Sequence, residues 1–226
     1  MKRVSSAGRQ SRPSIEQRLS RADPALGRVI AAVNARLGPQ RIKPSEASAF
    51  ESLVRAVVYQ SVSGKAAATI FARLKTGLGG SVRPAEVAKK TSAGLMSMGL
   101  SGSKARAIRG LADWFGNNPA IARRLAQLPN EEIATWLTGI PGIGLWTVNV
   151  FLIFSLARPD VIPAADMGIR RGVQLVCGLP QAATLKQVQE RSLRWQPDRS
   201  LASIYLWNAV KLNLTQSDIK GRKKAA

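Results

Sequence analysis

The feature that most constrains this chain is a turn rich in glycine and proline between two segments with the hydrophobic spacing of helices, Thr138-Gly139-Ile140-Pro141-Gly142-Ile143-Gly144. Pro141 lacks an N–H donor and disfavours helical geometry at the residue before it, so the first predicted helix, 131–137, ends here. The glycines have no Cβ and let another molecule approach the main chain closely. The second predicted helix, 145–156, begins with unpaired N–H groups, which form an anion site. The pattern predicts a turn that binds a phosphate backbone without reading bases; the alternative is an ordinary helical corner with a glycine cap.

The charge balance points to the same kind of partner. Against 34 lysines and arginines stand 13 acidic residues, which gives a formal net charge of +21. Such an excess favours a polyanion, and its contribution to binding falls steeply with salt. The chain has no histidine, so acid–base catalysis by histidine and zinc sites that need histidine are excluded. Its one cysteine, Cys177, excludes an internal disulfide framework and a four-cysteine cluster.

The hydropathy pattern predicts a folded protein outside the membrane. At 45% hydrophobic residues the chain can bury a core. It has no uninterrupted apolar run of membrane-spanning length and no apolar core of a secretion signal at its start. We therefore expect no membrane association and a place in the bacterial cytoplasm, on the nucleoid through DNA, or in the nucleus of a eukaryote. No heptad pattern or repeat suggests a dimer, so we expect a monomer.

The predicted fold class is all-α, because helical spacing recurs along the chain and no strand-like alternation appears. Asp23-Pro24 predicts an N-cap and first turn, and Ser63 predicts another N-cap. A helix is predicted over 103–115. Its inward residues are predicted to be Ala105, Ile108, Leu111 and Ala112, and its mostly outward ones Lys104, Arg106 and Arg109. We expect a flexible basic arm over 1–21, a globular domain over 22–214 and a basic tail over 215–226.

A second segment carries the one carboxylate that we single out, Val161-Ile162-Pro163-Ala164-Ala165-Asp166-Met167-Gly168-Ile169-Arg170-Arg171. Asp166 precedes a predicted helix over 167–177. Taken alone, its position indicates an N-cap that contributes about 1 kcal/mol to stability. Capping is compatible with a catalytic role, because a helix N-terminus keeps a carboxylate ionised.

Four motifs in order resemble the helix-hairpin-helix DNA glycosylase superfamily and, most closely, its 3-methyladenine DNA glycosylase II (AlkA-like) branch. They are the glycine-rich turn with its two flanking helices, which forms the hairpin of that superfamily, the Asp166 loop, and two further segments. One is 50–63, which reads FESLVRAVVYQSVS, and the other is 195–207, which contains Trp195-Gln196-Pro197-Asp198-Arg199-Ser200. The resemblance spans roughly residues 22 to 214. It implies a compact array of two helical lobes flanking a cleft. One lobe is expected to contain about residues 46–145, and the other about residues 22–45 together with 150–214. The chain has no room for the N-terminal β domain of some members.

The resemblance implies that Asp166 is the catalytic residue. A carboxylate near C1′ stabilises the oxocarbenium character that develops as a glycosidic bond breaks, and it can hold the attacking water. The hairpin residues that match the DNA-backbone contacts are Gly139, Pro141, Gly142, Ile143, Gly144 and Thr147. Carbonyl oxygens of Thr138, Ile140 and Ile143 match those that hold a monovalent cation, Na⁺ or K⁺, in relatives. No cofactor is required, and the iron–sulfur cluster of a sister branch needs cysteines that this chain lacks.

The hairpin also narrows the expected reaction. Bifunctional relatives form a Schiff base through a hairpin lysine, and here that position is Trp146. We therefore expect base release without lyase activity. The chain offers no evident general acid, which suits alkylated purines that already carry positive charge. Trp146 and Trp207 match aromatic positions of the base pocket, where a face can stack on such a cation; for Trp207 a role in the core is the alternative.

The resemblance places the duplex wedge in the turn after the predicted helix 49–59, with Tyr59, Gln60, Ser61 and Ser63 as the candidate contacts. Relatives often have a bulkier apolar residue at Ser61 and glycine at Tyr59, so Gln60 or Tyr59 is a candidate for filling the gap left by a flipped base. Arg199 is expected to support the active-site loop or to contact phosphate. The alternative for Arg199 is a surface ion pair.

The leading hypothesis is a monofunctional glycosylase of base excision repair that removes 3-methyladenine and 7-methylguanine from double-stranded DNA and leaves an abasic site. One alternative is a glycosylase for another damaged purine, such as hypoxanthine or ethenoadenine. Another is a helix-hairpin-helix protein that binds DNA without catalysis and uses Asp166 only as a cap. A basic RNA-binding protein is the third, and it gives Asp166 no role.

Overall fold

The computed structural model describes residues 13–220, and these form two compact units. The chain-end unit combines the described residues up to Gln40 with those from Met167 onward, and the middle unit is 41–166. The prediction had grouped 150–166 with the chain ends, whereas the structure assigns this segment to the middle unit. Within 13–220 the regular elements are helices and no strand occurs, so the all-α prediction is confirmed. None of the described helices is long and apolar enough to span a membrane.

The first helix, α1 (Ile15–Ala22), occupies part of the segment that was expected to be a flexible arm. That prediction is wrong for residues 15–21, and for 1–12 it lies outside the described residues. A capping box explains the helix: the Ser14 side chain accepts from the Gln17 N–H, and the Gln17 side chain accepts from the Ser14 N–H. Leu19 anchors it, with 2% of its surface exposed.

Helix α2 (Pro24–Leu37) begins at the predicted N-cap. The Asp23 carboxylate accepts hydrogen bonds from the main-chain N–H groups of Ala25 and Leu26, and Pro24 occupies the first turn. Its inner face is the predicted one, formed by Leu26, Val29, Ile30 and Val33, all of which are buried.

The middle unit contains eight α-helices among residues 41–166: α3 (Ala49–Val58), α4 (Gly64–Gly77), α5 (Pro84–Ala88), α6 (Ser92–Met96), α7 (Gly102–Asn117), α8 (Pro119–Arg124), α9 (Asn130–Thr138) and α10 (Leu145–Phe154). Helix α3 is the centre of this unit, and it packs against α7 and α10. Its apolar face explains this place, because its predicted inner residues are all buried: Phe50, Leu53, Val54, Val57 and Val58. Burial of each such side chain contributes about 1.5–3 kcal/mol.

The chain-end unit continues with α11 (Met167–Cys177), α12 (Leu185–Ser192), α13 (Arg199–Lys211) and α14 (Gln216–Lys220). Helices α11 and α13 pack closely because Gly172 lets the Leu206 side chain lie where a Cβ would be, 2.6 Å away. Of the segment predicted as a basic tail from residue 215, residues 216–220 form α14. Buried Ile219 and the ion pair between Arg36 and Asp218, 2.7 Å, hold it; residues 221–226 lie outside the described part.

A buried polar cluster stabilises the chain-end unit. Fully buried Asp23 accepts two hydrogen bonds from Arg191, at 2.7 and 2.6 Å, and one from the Trp195 indole N–H at 2.9 Å. Burial alone would raise the pKa of Asp23, but the hydrogen bonds from Arg191 and Trp195 outweigh it and leave that pKa below its usual value. The cluster ties the start of α2 to the end of α12.

Candidate active site and nucleic-acid interface

The predicted turn joins α9 to α10 and is built on a single sharp reversal. Ile143 N–H donates to the Ile140 carbonyl at 3.0 Å, with Pro141 and Gly142 between them. Proline followed by glycine at φ +89° is the arrangement of a type II turn. Ile140 and Ile143 are buried and anchor the turn, whereas Pro141 and Gly142 are exposed. Of the turn's glycines only Gly142 needs the left-handed region.

Gly142 also meets the close approach that its lack of a side chain permits. A Cβ on Gly142 would lie 2.8 Å from the Cβ of Ala107 on α7. Real Cβ atoms do not come this near, so the main chain of the turn packs against α7 as closely as only a glycine allows. The contact with α7 therefore determines the distance between the turn and this helix.

The N-cap residue of α10 is the exposed Gly144, which has no side chain to cap the helix. The main-chain N–H groups of the first turn, at Leu145 and Trp146, are thus directed out of the helix end without an intrahelical acceptor. N–H groups in this position are the feature on which the predicted anion site depends. We call the segment Gly139–Gly144 with the first turn of α10 the hairpin.

Asp166 lies beside the hairpin. The indole N–H of Trp146 donates to the Asp166 carboxylate, with Nε1 and Oδ2 2.6 Å apart. The loop that carries Asp166 is folded by local main-chain bonds, from the Ala164 N–H to Ile162 and from the Asp166 N–H to Pro163, each at 2.9 Å. Both Trp146 and Asp166 are half-buried, and Pro163 is buried. The structure thus brings together the predicted catalytic carboxylate and a predicted pocket aromatic.

The predicted wedge residues follow α3 in a turn, which we call the wedge turn (residues 59–63). The side chain of Gln60 reaches the hairpin: its Nε2 donates to the Gly142 carbonyl at 3.2 Å and to Thr147 Oγ1 at 2.8 Å. Ser61 is exposed and has φ +54°, unusual for a residue with a Cβ. Ser63 ends the turn as the predicted N-cap of α4, accepting from the Ala66 N–H at 3.3 Å.

Two predicted site residues belong to the chain-end unit. Trp207 lies half-buried on α13, and Arg199 is the first residue of that helix, also half-buried. Just before it, the buried carboxylate of Asp198 accepts two hydrogen bonds from the Arg18 guanidinium, at 2.9 and 2.8 Å. Arg18 of α1 therefore orients the residue that precedes Arg199.

No group of three or more potential metal-binding side chains occurs among residues 13–220. The expected monovalent cation would use main-chain oxygens instead. Ile140 O already accepts from the Ile143 N–H and keeps a second lone pair, while Thr138 ends α9 with its carbonyl past the helical ladder. The turn is therefore compatible with a cation held by carbonyl oxygens.

The sequence did not single out Lys104, although it contacts the base of the wedge turn. Its ammonium group donates to the carbonyl of Val58, the last residue of α3, at 2.8 Å. Burial lowers the pKa of Lys104. The position on α7 was predicted to face outward, and the four-carbon stem carries the charge back to α3. No local pattern in the sequence connects Lys104 with Val58, which lies 46 residues away.

With this geometry in place, the comparisons with known proteins assign the family. Residues 54–197 match the HhH-GPD superfamily base excision DNA repair protein family, so the chain belongs to the helix-hairpin-helix DNA glycosylase superfamily. Within it, the relatives place the chain in the 3-methyladenine DNA glycosylase II (AlkA-like) branch. The resemblance stated from the four motifs is confirmed.

Among these relatives, DNA-3-methyladenine glycosylase 1 of Schizosaccharomyces pombe is 37% identical over 166 residues, which cover 72% of this chain and 73% of the relative. DNA-3-methyladenine glycosylase 2 of Escherichia coli is 30% identical, covering 81% of this chain and 64% of the relative. The solved structure of the S. pombe enzyme with abasic DNA superimposes with a TM-score of 0.78 at 32% identity, covering 90% of this chain and 98% of that one. A 3-methyladenine glycosidase structure from Bacillus halodurans gives 0.75 at 27% identity, covering 91% and 94%.

Proposed function

We propose that this protein is a monofunctional DNA glycosylase that hydrolyses the N-glycosidic bond of alkylated purines, 3-methyladenine and 7-methylguanine, after flipping them out of duplex DNA. Family membership supports the general class. What we propose beyond that class is the kind of lesion removed and the absence of lyase activity. The names of the relatives, 3-methyladenine glycosylases from yeast and bacteria, favour this lesion class.

The observation that carries the proposal is the bond between Trp146 and Asp166, 2.6 Å long. It joins the first turn of α10, whose N–H groups form an anion site, to the carboxylate that the family pattern makes catalytic. A DNA backbone held at the hairpin would therefore bring a nucleotide close to a carboxylate whose position is fixed. In the proposed reaction the Asp166 carboxylate supplies negative charge near C1′, and the indole N–H of Trp146 donates to it without being a cation.

The reaction follows from that charge. As the bond from C1′ to the purine nitrogen breaks, its electron pair leaves with the base and positive charge develops on the sugar. The Asp166 carboxylate stabilises this charge, and a water that it orients adds to C1′. The proton of that water passes to the carboxylate or to solvent, and the sugar becomes an abasic site. A purine methylated at a ring nitrogen leaves as a neutral base and needs no proton from the protein.

Trp146 supports the absence of lyase activity. A β-lyase needs an amine that attacks C1′ and forms a Schiff base. The residue at the matching position is an indole that is engaged with Asp166. We therefore expect an intact sugar–phosphate backbone after base release, and a ring face of Trp146 or Trp207 as the stacking surface for a cationic purine. The proposed partner is alkylated duplex DNA bound by a monomer, with Na⁺ or K⁺ on the carbonyls of Thr138, Ile140 and Ile143.

The test is release of free 3-methyladenine and 7-methylguanine from methylated duplex DNA, with wild type beside Asp166→Asn. Asparagine keeps the size and loses the charge, so we expect a rate lower by about 10³-fold with duplex affinity unchanged within a few fold. Asp113→Asn, on the exposed face of α7, is the matched control because it removes an acidic charge from the same unit. It should release base at the wild-type rate.

The other outcomes separate the alternatives. Equal release by wild type and Asp166→Asn would remove Asp166 from the chemistry. If neither releases methylated purines but both bind the duplex, substrates containing hypoxanthine and ethenoadenine decide between another lesion and a protein without catalysis. Strand cleavage after base release, detected under denaturing conditions without alkali, would contradict the monofunctional part.

A further inference from the structure

The side chain of Gln60 joins two segments that are far apart in the sequence. Its Nε2 donates to Gly142 O at 3.2 Å and to Thr147 Oγ1 at 2.8 Å, and the latter contact is partly buried. A primary amide has two N–H donors, and these two acceptors use both. A main-chain carbonyl can only accept, so the contact with Gly142 also determines which end of the amide faces the hairpin. Gln60 is therefore committed to the hairpin through its nitrogen.

The rest of the wedge turn shows which residues are presented outward. The Arg55 guanidinium lies over the Tyr59 ring, 5.5 Å from its centroid, so this face of the tyrosine is covered. Ser61 is exposed with φ +54°, and Val62 is 37% exposed. A left-handed backbone is strained for a residue with a Cβ, and it persists at Ser61 only where surrounding contacts enforce it. Gln60 and Tyr59 supply such contacts on the side before Ser61.

A second set of contacts supports the same two segments through α7. Lys104 donates to Val58 O at 2.8 Å and so holds the C-terminal end of α3, from which the wedge turn begins. One helical turn further along α7, Ala107 receives Gly142. The end of α3 and the hairpin thus both contact α7, and the Gln60 side chain joins them to each other.

We propose that Gln60 is a positioning residue that fixes the wedge turn to the hairpin, so that the segment entering the duplex and the segment binding its backbone act as one rigid part. Gln60 does not itself fill the gap left by the flipped base; that place falls to Ser61 and Val62. The inference rests on the proposed function, because it takes the wedge turn to be the segment that enters the duplex. It makes predictions about duplex binding and base extrusion, which are measured separately from base release.

The most informative variants are at the acceptor, because Thr147 is 1% exposed and cannot enter the duplex. Thr147→Val keeps the volume and removes the hydroxyl, whereas Thr147→Ser keeps the hydroxyl and removes the methyl. The readout is a duplex with 2-aminopurine beside the target base, whose fluorescence rises when stacking is broken. Base release at saturating and limiting substrate is measured in parallel. Thr135→Val is the control, because it removes an exposed hydroxyl that bonds only to its own helix at Glu131.

We expect Thr147→Val and Gln60→Ala each to lower the fluorescence rise and kcat by about tenfold, the effect of losing a partly buried hydrogen bond, with duplex affinity changed by less than about threefold. The double variant should be no worse than Gln60→Ala alone, since loss of the Gln60 amide already removes its hydrogen bond to Thr147. Thr147→Ser should recover most of what Thr147→Val loses, and Thr135→Val should match wild type.

Three results would overturn the inference. If Gln60→Ala impairs extrusion while Thr147→Val does not, Gln60 acts as the plug. If Thr147→Ser and Thr147→Val are equally impaired, the methyl packing matters and the hydrogen bond does not. A wild type that binds the duplex without any fluorescence rise has no wedge to position. Failure of the proposed function looks different: the fluorescence rises and responds to the variants, but no methylated purine is released.

Discussion

Each unit contains one aspartate that accepts a hydrogen bond from an indole, and the two pairs differ in what surrounds them. In the chain-end unit, Trp195 donates to Asp23 at 2.9 Å in a fully buried cluster with the Arg191 guanidinium. In the middle unit, Trp146 donates to Asp166 at 2.6 Å in a half-buried position beside the hairpin. The Asp23 pair is enclosed in a cluster with a guanidinium, and we propose that it serves stability, whereas the half-buried Trp146–Asp166 pair serves the proposed reaction.

The strongest test of this contrast breaks the enclosed pair. Arg191→Met leaves the buried Asp23 charge without its guanidinium, so we expect the free energy of unfolding to fall by about 3–5 kcal/mol. Urea denaturation followed by circular dichroism measures it. Arg36→Met removes an arginine of the same unit from its exposed ion pair with Asp218 and should lower the free energy of unfolding far less. Equal losses in the two variants would show that burial does not distinguish these ion pairs.

The two tryptophans should separate stability from rate. Trp146→Phe removes the donor to Asp166, and a hydrogen bond to a charged group contributes about 1.5–3 kcal/mol, so base release should slow by about 10- to 100-fold. Trp195→Phe removes the donor to Asp23 and should instead lower the free energy of unfolding by a similar amount, with kcat of the folded protein unchanged. Measuring both quantities for both variants gives a crossed pattern. A slower reaction in Trp195→Phe at full folding would contradict the assignment of the two roles.

A smaller effect comes from acid. The folded-state pKa of Asp23 lies below its usual value because of Arg191 and Trp195, despite burial. The charged cluster therefore contributes stability above the unfolded pKa, about 4, and loses it as the pH falls through the lower folded value. Asp23→Asn imitates the protonated state. The difference in unfolding free energy between wild type and this variant should be largest at pH 7 and shrink toward pH 3; a difference independent of pH would exclude the linkage.

The helices were largely predictable from the sequence because their signals are local. The apolar spacing of α3, the N-caps at Asp23 and Ser63 and the bounds of α11 depend on residues within a few positions of one another. Helix α1 was missed because its segment has no sustained apolar period. It is held by a capping box and by the burial of Leu19, which only the folded unit provides.

The partners of the site's polar groups were not predictable for the same reason. Gln60 lies 82 residues from Gly142 and 87 from Thr147, and Asp23 lies 168 from Arg191. Nothing in the local pattern connects such pairs. Family resemblance supplied Asp166 and the hairpin, yet it did not indicate that Gln60 faces the hairpin or that Lys104 reaches back to α3. Long, flexible polar side chains are the part of a site that spacing describes least.

The contact between Gly142 and Ala107 makes the side chains at these two positions sterically interdependent. With 2.8 Å between a Cβ at 142 and the methyl at 107, neither side chain can grow while the other stays. A glycine at 107 would open room beneath the turn, and a valine there would lift it from α7. Variation at position 107, where the side chain is buried, is therefore a means of adjusting the distance between the hairpin and α7.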